Sequence, residues 1–254
     1  MSIIKNLTHP QIDSEPSFLS RDENGLVRQL VKRLDDPAKV SGMVLHGSWA
    51  RGTNDTASDV DMMILHRAGP MIEETIVVDG TQVDVYRGTF SDLKDKLNAD
   101  HPLNNNFILN AFHEGIVCID RGGWAGALKA DAELRCSEGP KAMTPIEIRS
   151  TRWGLLRMLS GAKRLLGRSA LSKEDALIAE TRSHQVVIQA VYLYHRVRRR
   201  WTTSFPIVVD RLRAENSPLY DLWSRYVSAA SQAERVEIAS ALVDCVFEED
   251  SLAE

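Results

Sequence analysis

Residues 45–65 of the chain read LHGSWARGTNDTASDVDMMIL. The pattern predicts a strand that ends at Gly47, a turn, and a second strand over residues 59–65. Side chains two residues apart on a strand point to the same face, so we expect Asp59 and Asp61 to project together. Two carboxylates crowded on one face repel each other unless a cation lies between them. Oxygen ligands of this kind suit Mg²⁺, and the stretch therefore predicts a magnesium site.

A third carboxylate, Asp84, lies in the second arm of a predicted β-hairpin. Two runs of β-forming residues, 75–78 and 82–86, flank Asp79-Gly80, and Asp-Gly between such runs is a strong hairpin signal. Three carboxylates from adjacent strands suit a two-metal phosphoryl-transfer site, in which one ion serves the attacking oxygen and the other the triphosphate. The predicted catalytic residues, which are also the predicted ligands of two Mg²⁺ ions, are Asp59, Asp61 and Asp84.

The glycine turn between the two strands has the residue types that bind phosphate. Gly47 lets a phosphate approach the backbone without a Cβ in the way, and Ser48 adds a hydroxyl donor. Arg51 can form a fork of hydrogen bonds with phosphate oxygens as negative charge develops. His46 can also reach a phosphate, although a hydrogen-bonded histidine at a strand end is the simpler interpretation. The structural alternative to the whole arrangement is a polar hairpin with solvated aspartates.

Outside this stretch, the chain changes from mixed to helical. We predict a helix over residues 24–34 and strands over 40–45 and 115–119. Thr144-Pro145-Ile146-Glu147 has the residues of a capped helix start, from which a helix can run to Leu166. Apolar periodicity then predicts further helices, over residues 172–201, 204–214, 218–230 and 232–247.

The predicted fold class is α/β (α+β), with a small mixed β-sheet and flanking helices in the first half. An all-helical bundle domain follows. We place the domains at residues 1–130 and 140–254, with the boundary between 125 and 143 and a linker over residues 136–140.

Composition limits the function classes. The chain has 254 residues, a formal net charge of −4 and 43% hydrophobic residues, which is typical of a globular protein and argues against a basic nucleic-acid binder. Its 3 cysteines lack metal or redox spacing. The amino terminus has no apolar run of signal length, and no later run is long enough to span a membrane. We therefore expect a cytoplasmic protein without a membrane partner.

The turn and the carboxylates together resemble a known signature. Gly47-Ser48-Trp-Ala-Arg51-Gly, followed by Ser58-Asp59-Val-Asp61, is similar to the motif of the DNA polymerase beta superfamily of nucleotidyltransferases, and Asp84 falls where that superfamily places its third carboxylate. Chain length and the helical second half resemble the kanamycin nucleotidyltransferase type of aminoglycoside-modifying enzyme. The resemblance implies Mg²⁺ ligands at Asp59 and Asp61, and nucleotide binding by Gly47, Ser48, Arg51 and Ser58.

The resemblance also extends to the first helix of the second half. Lys163 matches a lysine that such enzymes direct at the nucleotide phosphates. They carry a glutamate base one helical turn before that lysine, whereas this chain has Leu159. Our hypothesis is that Asp84 replaces that glutamate, as the base or as a shared metal ligand.

These residues predict a Mg²⁺-dependent nucleotidyltransferase, with AMP from ATP as the expected group and pyrophosphate as the product. The predicted acceptor is a hydroxyl of a small molecule, best matched by a cationic aminoglycoside antibiotic, and the resembled enzymes imply a homodimer. Three alternatives stay open: nucleotidylation of a tRNA or protein, as in toxin and antitoxin members of the superfamily; a catalytically silent nucleotide-binding regulator; and the same chemistry on an unrelated metabolite.

Overall fold

A computed structural model describes residues 25–99, 106–215 and 217–248. The predicted lead-in at the amino terminus lies outside the described residues. Within them, the first compact unit takes residues 25–99 and 107–137, and the second takes residue 106 and the described residues from 138 onward.

The first unit is built on a mixed five-stranded sheet with the order β3-β4-β2-β1-β5. Its strands are β1 (Val40–His46), β2 (Val60–His66), β3 (Ile72–Val78), β4 (Thr81–Thr89) and β5 (Ile116–Asp120). β1 pairs antiparallel with both β2 and β5, β2 pairs parallel with β4, and β3 pairs antiparallel with β4. The predicted small mixed sheet is confirmed.

The hairpin between β3 and β4 turns at the predicted dipeptide. Asp79 and Gly80 have φ values of 51° and 84°, which are the positive angles that a tight two-residue hairpin turn requires. Because β3 carries the chain back across the sheet, β4 starts at the same end as β2 and runs parallel to it. The turn therefore brings the start of β4 beside the start of β2.

Helices flank this sheet and differ in part from the prediction. They are α1 (Leu26–Leu34), α2 (Gly47–Arg51), α3 (Phe90–Asn98), α4 (Phe107–Glu114) and α5 (Trp124–Glu138). α1 packs Val27 and Leu30 onto the apolar face of the sheet. The turn predicted after β1 is the short helix α2, and the segment predicted to hold the domain boundary is largely the helix α5.

The described part of the second unit is helical. It contains α6 (Pro145–Leu166), α7 (Lys173–Val197), α8 (Phe205–Ala214), α9 (Pro218–Ser228) and α10 (Gln232–Val246). These helices bury a separate apolar core, to which α7 contributes the largest share. The predicted fold class, a mixed-sheet domain followed by a helical region, is confirmed.

The start of α6 has the predicted capping box. The Thr144 hydroxyl accepts a hydrogen bond from the backbone N–H of Glu147, and the Glu147 carboxylate accepts one from the backbone N–H of Thr144. Among the described helices, none combines the length and the apolarity that crossing a membrane would demand.

Candidate active site

One row of residues crosses four strands of the sheet on the same face. In register, His46 on β1 lies opposite Asp61 on β2, Asp61 lies opposite Asp84 on β4, and Asp84 lies opposite Thr75 on β3. Residues directly opposite each other on neighbouring strands share a face. The flanking residues of β2 and β4 point to the other face and join the apolar core, namely Val60, Met62, Val83 and Val85.

The three predicted carboxylates lie together at the middle of this row, where Asp59 joins Asp61 and Asp84. Oxygen atoms of Asp59, Asp61 and Asp84 lie within 4.8 Å of one another, and all three residues are partly buried. Asp84 is oriented by hydrogen bonds to its Oδ1 from Thr75 Oγ1, at 2.7 Å, and from Gln82 Nε2, at 3.2 Å. We call these three aspartates the acidic triad.

Burial raises the pKa of Asp61 to about 6, and the negative charges of Asp59 and Asp84 act in the same direction, whereas the positive charge of Arg51 acts against them. A cation bound at the triad would stabilise the ionised carboxylates. The oxygen donor set fits Mg²⁺, which takes carboxylate, water and phosphate oxygens.

Gly47 makes room for the acidic triad. Its φ is 70°, and a Cβ at this position would overlap Oδ2 of Asp61. The left-handed backbone and the close approach both require glycine. Gly47 was predicted to leave the backbone unobstructed beside the site. The same glycine also leaves space for the Asp61 carboxylate.

Two polar atoms beside Gly47 are buried without a hydrogen-bond partner among the described residues: Ser48 Oγ and His46 Nε2. Burial and the charge of Arg51 lower the pKa of His46 to about 4, so the imidazole is neutral at pH 7. The interpretation of His46 as a satisfied histidine is wrong for Nε2. A buried polar atom without a partner costs about 1–3 kcal/mol and calls for an explanation such as a ligand.

The other two predicted nucleotide-binding residues of the motif already have partners. Arg51 Nη1 donates to Glu114 Oε1 at 2.6 Å. Ser58 Oγ donates to Asp55 Oδ1 at 3.0 Å and accepts from the backbone N–H of Asp55 at 2.9 Å. Ser58 thus shapes the loop between α2 and β2, which delivers Asp59 to the triad.

Lys163 and Leu159 lie in the second unit, on α6. The Lys163 ammonium contacts the Glu237 carboxylate on α10 at 3.0 Å. Leu159 is 1% exposed and belongs to the apolar core. A glutamate at position 159 would be buried there, which gives the departure from the resembled pattern a packing reason.

A pocket of about 530 Å³ opens beside the acidic triad. Phe107 forms one wall although its side chain is 49% exposed, and its ring lies 5.3 Å from the His46 ring and 5.8 Å from the Tyr86 ring. Tyr86 follows Asp84 by two residues on the same strand, so alternation could have placed it here. Phe107 gave no such signal. The pocket is lined by His46, Asp61, Glu73, Glu74, Thr75, Asp84, Val85, Tyr86 and Phe107.

Comparison with known proteins finds a family match over the segment that carries this site. Residues 27–112 match the family model of the nucleotidyltransferase domain. The matched segment includes the acidic triad, the Gly47 turn and the Phe107 wall. The match supports a transferase.

A search of the curated proteins finds no match. The chain is similar to the crystal structure of a nucleotidyltransferase-like protein from Exiguobacterium sibiricum 255-15, with 14% sequence identity, a TM-score of 0.45, and coverage of 87% of this chain and 72% of that one.

Proposed function

We propose that the chain is a Mg²⁺-dependent nucleotidyltransferase that transfers a nucleoside monophosphate, AMP from ATP, to a hydroxyl group of a small molecule. The observation that carries the proposal is the acidic triad, three carboxylates within 4.8 Å of one another beside the Gly47 turn. The match of residues 27–112 to the nucleotidyltransferase domain supports the same chemistry.

The proposed reaction is an in-line displacement at the α-phosphorus of the NTP. The acceptor oxygen forms a bond to phosphorus, the bond from phosphorus to the bridging oxygen breaks, and pyrophosphate leaves. Asp59, Asp61 and Asp84 would hold the metal. Mg²⁺ supplies charge neutralisation of the triphosphate and activation of the acceptor oxygen when it is bound.

The chain's own residues would position the reactants. The unpartnered hydroxyl of Ser48 would donate to a phosphate oxygen, and Arg51 would offer its remaining N–H groups to the same triphosphate. The proton of the acceptor hydroxyl would pass to Asp84. Both hydrogen bonds described for Asp84 use Oδ1, so Oδ2 is the oxygen assigned to this step.

The pocket favours a cationic acceptor. Its lining includes four carboxylates and, among the described residues, no lysine or arginine. Asp61 and Asp84 are assigned to the metal, and Glu74 is paired with Arg87 at 2.6 Å, so Glu73 is the carboxylate of the lining that is left for an ammonium group. The exposed ring of Phe107 in the same lining can add a cation–π contact. These features support an aminoglycoside as the acceptor, as the resemblance to the kanamycin type implies.

The second unit completes the proposal. We assign residues 140–254 to acceptor binding and Lys163 to the nucleotide phosphates, and we propose a homodimer. The oligomeric state is measured by light scattering during size-exclusion chromatography, and a monomer at assay concentration would contradict the last assignment.

The deciding experiment measures pyrophosphate release from each NTP with Mg²⁺, against aminoglycosides, lincosamides and bulk tRNA. We expect acceptor-dependent release with ATP, and a mass gain of one AMP on an aminoglycoside. Asp59→Asn serves as the blank. Release with tRNA or protein alone would move the protein to the macromolecule-modifying branch. ATP binding without release for any acceptor would identify a silent nucleotide-binding regulator, a function consistent with the buried Leu159.

Asp84→Asn tests the proposed proton acceptor. The amide keeps the size of the side chain but cannot take the acceptor proton, so turnover should be abolished while ATP binding stays within a few-fold of wild type. ATP affinity is measured by isothermal titration calorimetry with Mg²⁺. Retained turnover would remove Asp84 from this role.

A further inference from the structure

The ion pair between Arg51 and Glu114 joins two elements of the first unit that are far apart in sequence. Arg51 ends α2, and Glu114 ends α4, 63 residues later. Their side chains are 31% and 24% exposed, and Arg51 Nη1 lies 2.6 Å from Glu114 Oε1. A short, partly buried contact of this kind restrains an arginine more than a solvent-exposed surface pair does.

Glu114 is a rigid anchor because the chain around it is held by Lys129 of α5. The Lys129 ammonium donates to the backbone carbonyls of His113 at 2.9 Å and of Gly115 at 3.0 Å. These are the residues directly before and after Glu114. Gly115 is tightly packed as well, since a Cβ there would overlap the carbonyl oxygen of Ala111. The turn from α4 to β5 is therefore fixed, and Glu114 with it.

The pair lies near the acidic triad in the fold. Arg51 ends the five-residue helix α2, and the first residue of that helix, Gly47, is so close to the triad that a Cβ there would overlap Oδ2 of Asp61. Glu114 engages Nη1 of Arg51, whereas a guanidinium has five N–H donors in a planar fork. Arg51 can therefore keep its contact with Glu114 and still present other donors to a ligand held at the triad.

We infer that Glu114 is a positioning residue for nucleotidyl transfer, one that holds the Arg51 guanidinium in the orientation in which it meets the triphosphate. The inference rests on the proposed function and deepens it. An unrestrained arginine would lose up to about 2 kcal/mol of side-chain entropy on being ordered. Donors fixed in advance where negative charge develops stabilise the transition state more than the bound substrate.

The inference predicts that loss of Glu114 affects nucleotide binding and turnover differently. Without Glu114 the surroundings of the triad become more positive, so the Kd of the Mg²⁺-NTP complex should stay within about threefold of wild type or fall. The rate of transfer should fall because Arg51 is no longer oriented. We expect kcat of Glu114→Ala to drop by about 10- to 30-fold, which corresponds to the side-chain entropy above.

The test is a double-mutant cycle with Arg51→Ala, Glu114→Ala and the double variant. Since Glu114 acts through Arg51, Glu114→Ala should have no further effect on kcat in the Arg51→Ala background. Glu114→Gln, which still accepts a hydrogen bond, should recover part of the rate. Asp36→Asn is the matched control, because it removes a carboxylate from an exposed pair with Lys39 at 3.0 Å, and its kcat should equal that of wild type.

The outcomes separate this inference from the proposed function. Additive losses in the cycle, or a Glu114→Ala variant with unchanged kcat, would overturn the inference while an active wild type leaves the function intact. A wild type without turnover would overturn both. If Glu114→Ala fails to fold, as judged by circular dichroism, Glu114→Gln takes its place in the cycle. The criterion of non-additivity then stays the same.

Discussion

At the scale of single residues, the site depends on how closely Gly47 and Asp61 approach each other. The positive φ of Gly47, 70°, and the overlap that a Cβ would make with Asp61 Oδ2 are separate constraints. Gly80 has only the first of them, since its φ is 84° and a Cβ there would meet nothing within 4 Å. Substitution of each glycine in turn therefore distinguishes the effect of backbone strain from the effect of displacing Asp61.

Gly47→Ala should reduce turnover by about 100-fold or more, because displacing Asp61 from its metal-binding position costs as much as losing a major electrostatic group. Gly80→Ala should lose about 1 kcal/mol of unfolding free energy from the strained backbone and keep wild-type turnover. Both are measured by urea unfolding and by pyrophosphate release. Equal turnover in the two variants would contradict the assignment of Gly47 to the site.

Protonation of Asp61 provides a second prediction at this scale. Its pKa of about 6 in the folded chain lies above the ordinary value of 3.8, so its contribution to stability is complete below about pH 4 and is lost as the pH rises through about 6. Two buried histidines act in the opposite direction, since burial lowers the pKa of His46 to about 4 and of His195 to about 3. Acidification from pH 7 to 5 charges them more readily in the unfolded chain.

The metal-free wild type should therefore lose stability between pH 7 and pH 5, and Asp61→Asn should lose more, because it lacks the compensating carboxyl. Urea unfolding in EDTA at the two pH values measures the difference. Saturating Mg²⁺ should abolish the difference between wild type and Asp61→Asn, since a bound cation favours the ionised carboxylate. The same pH dependence for both proteins without metal would show that the pKa of Asp61 is not raised in the folded chain.

Some residues of the site could be predicted from the sequence around them, and others could not. Asp61 and Asp84 could be predicted because strand alternation and the hairpin turn determine their face and their neighbours. Asp59 lies in the loop directly before β2 and could be predicted from its spacing of two residues to Asp61. Glu114 could not, since its contact with Arg51 bridges 63 residues and depends on how α4 packs. Exposed Phe107 was missed for the same reason. Its neighbours are set by tertiary packing, which no spacing within the sequence encodes.

At the scale of elements, two helix starts of the second unit differ in their caps. The Thr144 side chain accepts a hydrogen bond from the first turn of α6, whereas Ser204, at the start of α8, makes no such bond. Both are followed by a proline in the first two helical positions. Two helix starts that share a hydroxyl residue before the helix and an early proline thus differ in whether that hydroxyl caps the helix.

Thr144→Ala should lower the unfolding free energy by about 1 kcal/mol, because it leaves a backbone N–H of α6 without its acceptor. Ser204→Ala should change it by less than about 0.5 kcal/mol. Thermal and urea unfolding of the two variants check the contrast. A larger loss for Ser204→Ala would show that the cap is not the stabilising contact.

The elements that were not predicted share a physical cause. α2 has five residues, Gly47–Arg51, which is too short for apolar periodicity to be recognised. α5 distributes its apolar residues around the helix and not on one face, so the amphipathic signal is absent. The strands and the long helices were predicted because alternation, capping residues and turn dipeptides agree along them.

At the scale of the whole molecule, each unit has its own apolar core, and the acidic triad belongs to the first. A ligand that binds only the folded protein raises its stability by mass action, by about 2.7 kcal/mol at a concentration of 100 Kd. Binding of Mg²⁺ with a non-hydrolysable ATP analogue is therefore visible in unfolding experiments without any knowledge of the acceptor.

We expect Mg²⁺ and the analogue together to raise the melting temperature of wild type, and EDTA to reverse the effect. Asp59→Asn, which removes one ligand of the triad, should show little or no rise. Differential scanning calorimetry measures both proteins under the same conditions. An equal rise for the variant would place the nucleotide away from the triad, and no rise in either protein would contradict nucleotide binding.

The pairing of the parallel strands β2 and β4 also restricts where the chain can gain or lose residues. A single-residue insertion between Val83 and Asp84 would place the carboxylate on the apolar face of the sheet, because successive side chains alternate faces. An added residue in the turn at Asp79 and Gly80 leaves that parity intact, since β4 keeps its pairing with β2. Descendants of this sequence should therefore vary in length at the tip of the hairpin and conserve the spacing within β4.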